Sequence, residues 1–115
     1  MEFKKYDNKI AVEQLVFEVK EDKVQEFIDL DQQIWTKELE KWPGFLGKEV
    51  WICEEKTMKI MTTVYWRSLE EWKSIDHEKL VETDKKFKEA LGSENFELIR
   101  ELHKENQYFK IAEYS

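Results

Sequence analysis

Apolar residues alternate along residues 11–19. Ala11, Leu15, Phe17 and Val19 share one face and Val12 and Val16 the other, in a run rich in β-formers that predicts a first strand. After Asp22 the period changes. Val24, Phe27, Ile28, Ile34, Trp35, Leu39 and Trp42 recur at helical spacing, with Asp22 at an N-cap position and Gln25 three residues on. A long amphipathic helix is expected over about 23–41, because Trp42 precedes Pro43, where helical geometry is disfavoured. Gly44 and Gly47 supply the backbone freedom for a reversal.

Two β-branched and aromatic runs follow, Lys48–Glu54 and Met58–Arg67, separated by the polar Glu55-Lys56-Thr57, and they read as a hairpin. Ser68-Leu69-Glu70-Glu71 has the capping-box pattern, so a helix should start directly after the second of these strands. Leu69, Trp72 and Ile75 lie on one side of it. Asp76 can cap a second helical piece in which Leu80, Phe87 and Leu91 share a face, ending near Gly92. Residues 93–106 fit either alternation or a short helix, whereas 107–114 read as a final strand.

The order strand, long helix, strand, strand, helix, strand is the split βαβ arrangement of an α+β, ferredoxin-like fold, with an antiparallel sheet carrying helices on one face. The hairpin does not alternate as a half-solvated sheet should. Met58, Ile60, Val64 and Trp66 point one way and Met61 and Tyr65 the other, while Val50 and Ile52 oppose Trp51 and Cys53. Both faces need cover. With the helices on one face, a second copy of the chain is the economical partner for the other, giving a homodimer joined through the sheet.

Composition narrows the function classes. The 115 residues fit one domain, 1–115, and the single proline and three glycines leave no linker-like stretch. The formal net charge is -7 and no basic cluster stands free of acidic neighbours, which disfavours nucleic acid as a partner. Cys53 is the only cysteine, suited to a reducing compartment as a buried strand residue. Neither a signal-peptide core nor a membrane-length apolar run is visible, so the expected setting is cytoplasmic and away from membranes.

The run from Trp42-Pro43-Gly44-Phe45 to Trp51, followed by Tyr65-Trp66-Arg67-Ser68-Leu69-Glu70-Glu71-Trp72, resembles the antibiotic-biosynthesis-monooxygenase-like group of dimeric α+β barrels. The likeness spans about residues 11–91 and is closest to an uncharacterised branch of small bacterial proteins; its motifs are structural devices more than chemistry. It implies a dimeric barrel with a cavity between helices and sheet. Enzymes of the group oxidise aromatic polyketides without a cofactor or degrade haem. The haem-degrading pattern is not met: Gln14 stands near its Asn and Trp72 matches its Trp, but His77 falls five residues past Trp72 and Glu82 occupies the neighbourhood of the axial ligand. No cofactor is expected.

Asp31 is the candidate catalytic residue. It lies four residues after Phe27 and four before Trp35, on the apolar stripe, where a carboxylate is either a general acid or base or an acid at the stripe's edge paired with solvent or a lysine. Trp35, Trp51, Trp66 and Trp72 are candidates to line a pocket for a small planar aromatic ligand, or to form core and dimer interface. His77 reads as a surface residue between helices and His103 as a strand or loop residue, too far apart to make a metal motif. The function classes are then a homodimeric domain binding a small apolar or aromatic molecule, a cofactor-independent monooxygenase-type enzyme, and a structural or interaction dimer without a cavity.

Overall fold

The computed structural model describes residues 1–55 and 58–115, so Lys56 and Thr57 of the expected hairpin turn lie outside the described residues. Five strands form one antiparallel sheet: β1 (Phe3–Val19), β2 (Phe45–Cys53), β3 (Lys59–Trp66), β4 (Phe96–Glu101) and β5 (Phe109–Tyr114). The strand order is β2-β3-β1-β4, with β5 also paired to β1. The helical elements are α1 (Val24–Leu30), a π-helical turn (Asp31–Thr36), α2 (Lys37–Leu39), α3 (Leu69–Lys73), α4 (His77–Leu91) and α5 (Leu102–Glu105). No helix among the described residues is long and apolar enough to cross a membrane.

β1 is the spine of the sheet. Its residues 11–18 pair with β3 in an unbroken register from Ala11↔Trp66 to Glu18↔Lys59. On its other edge it takes β4 near its C-terminal end and β5 along Phe3–Ala11. The strand is 17 residues long, well beyond the expected 11–19, because its polar N-terminal segment is held by β5 rather than by an apolar face.

Strand parity divides the side chains. Ala11, Glu13, Leu15 and Phe17 of β1 stand in rows with Trp66, Val64, Thr62 and Ile60 of β3, all on the face covered by helices. Lys48, Val50 and Ile52 continue these rows into β2. Val12, Gln14, Val16, Met61, Thr63, Tyr65, Trp51 and Cys53 occupy the opposite face, which carries no helix. Trp51 and Cys53 are exposed there, so the buried setting expected for Cys53 is not found within the chain.

Two apolar clusters hold the helices down. Ala11, Leu39, Val64, Trp66, Trp72 and Ile75 form one, and Val19, Phe27, Ile60, Phe87 and Leu91 the other, with Trp35 packed against both. Phe27 meets Phe17 and Phe87 at ring-centroid distances of 5.1 and 5.3 Å, and its full burial is worth about 2–3 kcal/mol.

The helix boundaries follow the expected caps with one exception. Ser68 Oγ accepts from the Glu71 amide at 3.1 Å, Asp76 Oδ1 accepts from the Glu78 amide at 3.0 Å, and Gly92 ends α4 at φ 95°. Asp22 does not cap the first helix. It sits in a short 3-10 turn, Glu21–Lys23, and makes no cap bond. The reversal at Pro43 depends on Gly44, whose φ is 93° and whose carbonyl accepts from the Arg67 amide at 2.7 Å. Residues 93–106 combine both readings, β4 first and α5 after it.

Candidate functional site

Between the two clusters lies a cavity of about 700 Å³, open to solvent on one side. Its floor is the helix-covered face of the sheet and its roof is the first helical run together with α3 and α4. Leu15, Phe17, Trp35, Leu80, Phe96 and Leu98 expose apolar surface to it, with the nearly buried Trp72 beside them, so a non-polar body of moderate size could be desolvated there.

Glu13, Lys48 and Thr62 interrupt that wall from the central strands of the sheet and its β2 edge, and Glu97 and Glu101 from β4. Glu13 and Lys48 both pair with Val64, from opposite sides, so they flank it in a single cross-strand row. Two strand spacings separate their backbones, about 10 Å. Thr62 lies one row further along, beside Leu15.

Asp31 enters from the roof. It opens the six-residue π-helical turn, an irregularity that widens the helix and often accompanies functional sites. The residue is buried, and its Oδ2 meets Lys48 Nζ at 2.6 Å. Lys48 also donates to Thr36 Oγ1 at 3.1 Å, so one lysine ties the strand to both ends of the π turn. Burial pushes the Asp31 carboxyl upward while the adjacent ammonium pulls it down, and burial is the larger influence. This is a buried acid paired with a lysine on a cavity wall.

Glu13 is held differently. Its Oε1 accepts from the indole Nε1 of Trp66 at 3.1 Å, and no cation of the described residues lies within ion-pair distance. Burial raises its carboxyl above the ordinary range, opposed by the Trp66 hydrogen bond and by the charges of Lys48 and Lys73. The side chain is half-buried by surface area because the cavity reaches it, although protein surrounds it on every other side.

The expected aromatic residues separate into three places. Trp35 and Trp72 line the cavity. Trp66 is fully buried beneath it and acts through its hydrogen bond to Glu13. Trp51 lies outside the cavity, 54 % exposed on the helix-free face, because its parity in β2 is opposite to that of Lys48 and Val50. Gln14 also faces away, so it and Trp72 lie on opposite sides of the sheet and cannot act on one ligand. His77 stands exposed at the start of α4, and His103 belongs to α5, its ring 4.9 Å from Trp72. Burial holds the His103 imidazole below its usual pKa. Among the described residues no three His, Cys, Asp or Glu side chains converge as a metal site.

Glu13, Lys48 and Thr62 are the site residues that sequence reasoning missed. The signal was present: Glu13 has the parity of Ala11, Leu15 and Phe17, and Lys48 that of Val50 and Ile52.

Comparison with known proteins agrees with this architecture. A Bacillus cereus protein described as a candidate antibiotic biosynthesis monooxygenase superposes with a TM-score of 0.58 at 18% identity, covering 93% of this chain and 98% of its own. One from Nitrosomonas europaea gives 0.58 at 10% identity, over 90% and 92%. A dimeric ferredoxin-like protein from an uncultured marine organism gives 0.54 at 11% identity, over 94% of both chains. At such identities the likeness establishes the ferredoxin-like α+β fold. No curated protein sequence matches the chain. The family model for antibiotic biosynthesis monooxygenases matches residues 10–82, from the spine strand to the first turns of α4, and the chain belongs to that family.

Proposed function

We propose that the protein is a homodimer that binds a small aromatic or apolar molecule in the cavity between helices and sheet. The observation that carries this reading is the cavity itself: about 700 Å³, walled by Leu15, Phe17, Trp35 and Phe96 with Trp72 beside them, and with a few polar groups on its floor. A merely structural domain would fill such a space with side chains, since protein interiors pack densely. The helix-free face supports the dimer. It presents Val12, Val16, Met61 and Tyr65 partly exposed and Trp51 exposed on a surface that carries no helix, and one structural neighbour is described as dimeric. A sheet-to-sheet interface of stable size would bury about 1,600 Å² in total.

Thermal-shift measurements with naphthalene, indole and anthracene-sized ligands test the cavity. A ligand that binds only the folded state raises its stability, so a saturable increase in Tm is expected. Replacing the partly exposed Leu80 by Trp should fill part of the space and remove the shift while the fold persists. No shift with any of these ligands at saturating solubility would refute the binding reading.

A second reading, oxygen-dependent turnover of the ligand, is favoured by one observation, the Asp31–Lys48 pair on the wall. In a cofactor-independent monooxygenation the ligand supplies the electrons: a methylene between aromatic rings becomes a carbonyl, O2 gives one atom to it and the other to water. Asp31 would accept the proton released as the ligand becomes a carbanion, and Lys48 would stabilise the negative charge that develops. Oxygen uptake with a bound anthrone, lost in Asp31→Asn, would support turnover; binding without uptake would leave a binding protein.

A further inference from the structure

We propose that the cavity takes its ligand as an organic cation, a small aromatic or apolar amine whose ammonium group seats on Glu13. This rests on the binding reading above and adds the charge of the occupant. Charge matching around the cavity is nearly complete. Asp31 is paired with Lys48 at 2.6 Å, Asp84 with Lys88 at 2.9 Å and Glu101 with Lys104 at 2.6 Å. Glu97 and His77, which also line the cavity, are exposed. Glu13 alone lines the interior of the cavity without an ion partner among the described residues. Its Oε1 is used by Trp66 and no described side chain donates to Oε2.

A carboxylate taken from water without a counter-ion is strongly disfavoured, and the raised carboxyl of Glu13 is the expression of that cost. A ligand that brings an ammonium removes it. The walls favour the same charge, because the faces of Trp and Phe rings attract cations. Trp72 already carries the Lys73 ammonium at 4.1 Å from its ring. The net charge of -7 draws cations toward the protein as a whole.

The charged groups that face Glu13 are Lys48 from β2, Lys73 from α3 and Glu101 from β4, with Asp31 from the π turn neutralising Lys48. His103 from α5 meets Trp72 edge-on. Binding of an ammonium ionises Glu13, so one proton passes from its carboxyl to solvent and no bond of the ligand changes. Affinity therefore rises with pH through the raised pKa of Glu13 and then levels off, falling only when the amine itself deprotonates near ~10.

Isothermal titration calorimetry of the full chain with 2-naphthylmethylamine, 2-naphthylmethanol and 2-naphthoate tests this. The amine should bind at least about tenfold more tightly than the alcohol, and the naphthoate most weakly. Amine binding should strengthen as pH rises through the raised titration of Glu13 and release protons, read as a dependence of the heat on buffer ionisation enthalpy. Glu13→Gln keeps an acceptor for Trp66 and should bring the amine-to-alcohol affinity ratio to about one. Alcohol or naphthoate matching the amine in the wild type overturns the proposal, as does a preference that survives in Glu13→Gln. Should that variant not fold, a pH-independent amine affinity in the wild type overturns it equally. Binding of the alcohol without preference for the amine removes the cation alone; binding of none of the three removes the cavity reading as well.

Discussion

Lys48 Nζ lies 2.6 Å from Asp31 Oδ2, so an ion pair buried between an edge strand and a π-helical turn closes one end of the cavity. Each partner leaves a charge stranded when the other is removed. Asp31→Ala should therefore destabilise the fold by about 3 kcal/mol, whereas the double change Asp31→Leu with Lys48→Met should cost far less, because both charges leave together. Urea unfolding of the two variants measures the difference, and equal losses would contradict a coupled pair.

Glu13 predicts how stability depends on pH. Its carboxyl binds protons more tightly folded than unfolded, since burial raises its pKa. Between the unfolded value near ~4.3 and the higher folded value the native state holds the extra proton, so stability contributed by this group is present at low pH and is lost as pH rises through the folded pKa. Relative to Glu13→Gln, the wild type should lose stability over that window and run parallel above it. Chemical denaturation at a series of pH values would show the opposite slope if Glu13 were stabilised as a carboxylate.

The cap on α3 can be tested alone. Ser68 Oγ accepts from the Glu71 amide and also donates to Glu71 Oε1, and the same carboxylate is bound by Arg67. Ser68→Ala should cost about 1 kcal/mol. Ser68→Asp, which keeps a cap acceptor but sets a charge beside Glu71, should recover only part of it by the same denaturation assay.

Two glycines three positions apart should respond in opposite ways. Gly44 has φ 93°, and a Cβ there would stand 2.7 Å from Glu71 Cβ. Gly44→Ala should destabilise by more than about 1 kcal/mol from backbone strain alone. Gly47 has nothing within 4 Å of the Cβ position, so Gly47→Ala should be neutral or slightly stabilising. Thermal unfolding of the pair distinguishes a turn that requires glycine from a strand that merely tolerates it.

Oligomeric state is predicted from the helix-free face. Trp51→Glu places a charge on an exposed residue of that face and should convert a dimer into a monomer with an unchanged far-ultraviolet spectrum. Sedimentation equilibrium at micromolar concentration reads the result directly; a wild type that is already monomeric there would refute the sheet-to-sheet dimer.

The order of elements was legible because each rested on a local device: the Pro43-Gly44 reversal, the Ser68 capping box, Asp76 at the start of α4 and Gly92 at its end. Asp31 was legible by the same arithmetic, a carboxylate at the helical spacing of Phe27 and Trp35. Its partner was not, because Lys48 meets it across the fold, and nothing local to either segment links the two. Trp51 shows the converse limit. Residue type suggested a pocket, but strand parity decides the face, and parity puts it opposite the cavity. The N-terminal part of β1 has no alternation to read, since residues 3–8 are ordered by pairing with the chain's other end.

That last pairing divides the sheet into parts of unequal persistence. Over residues 11–18 β1 is bonded to β3 on one edge, but over Phe3–Ile10 it has only β5 beside it, joined by the bonds between Glu2 and Ser115. A two-stranded ribbon is marginal on its own in water. Its amides should exchange with deuterium through local opening, well before those of β3, so the two chain ends can come apart and rejoin while the cavity floor stays closed.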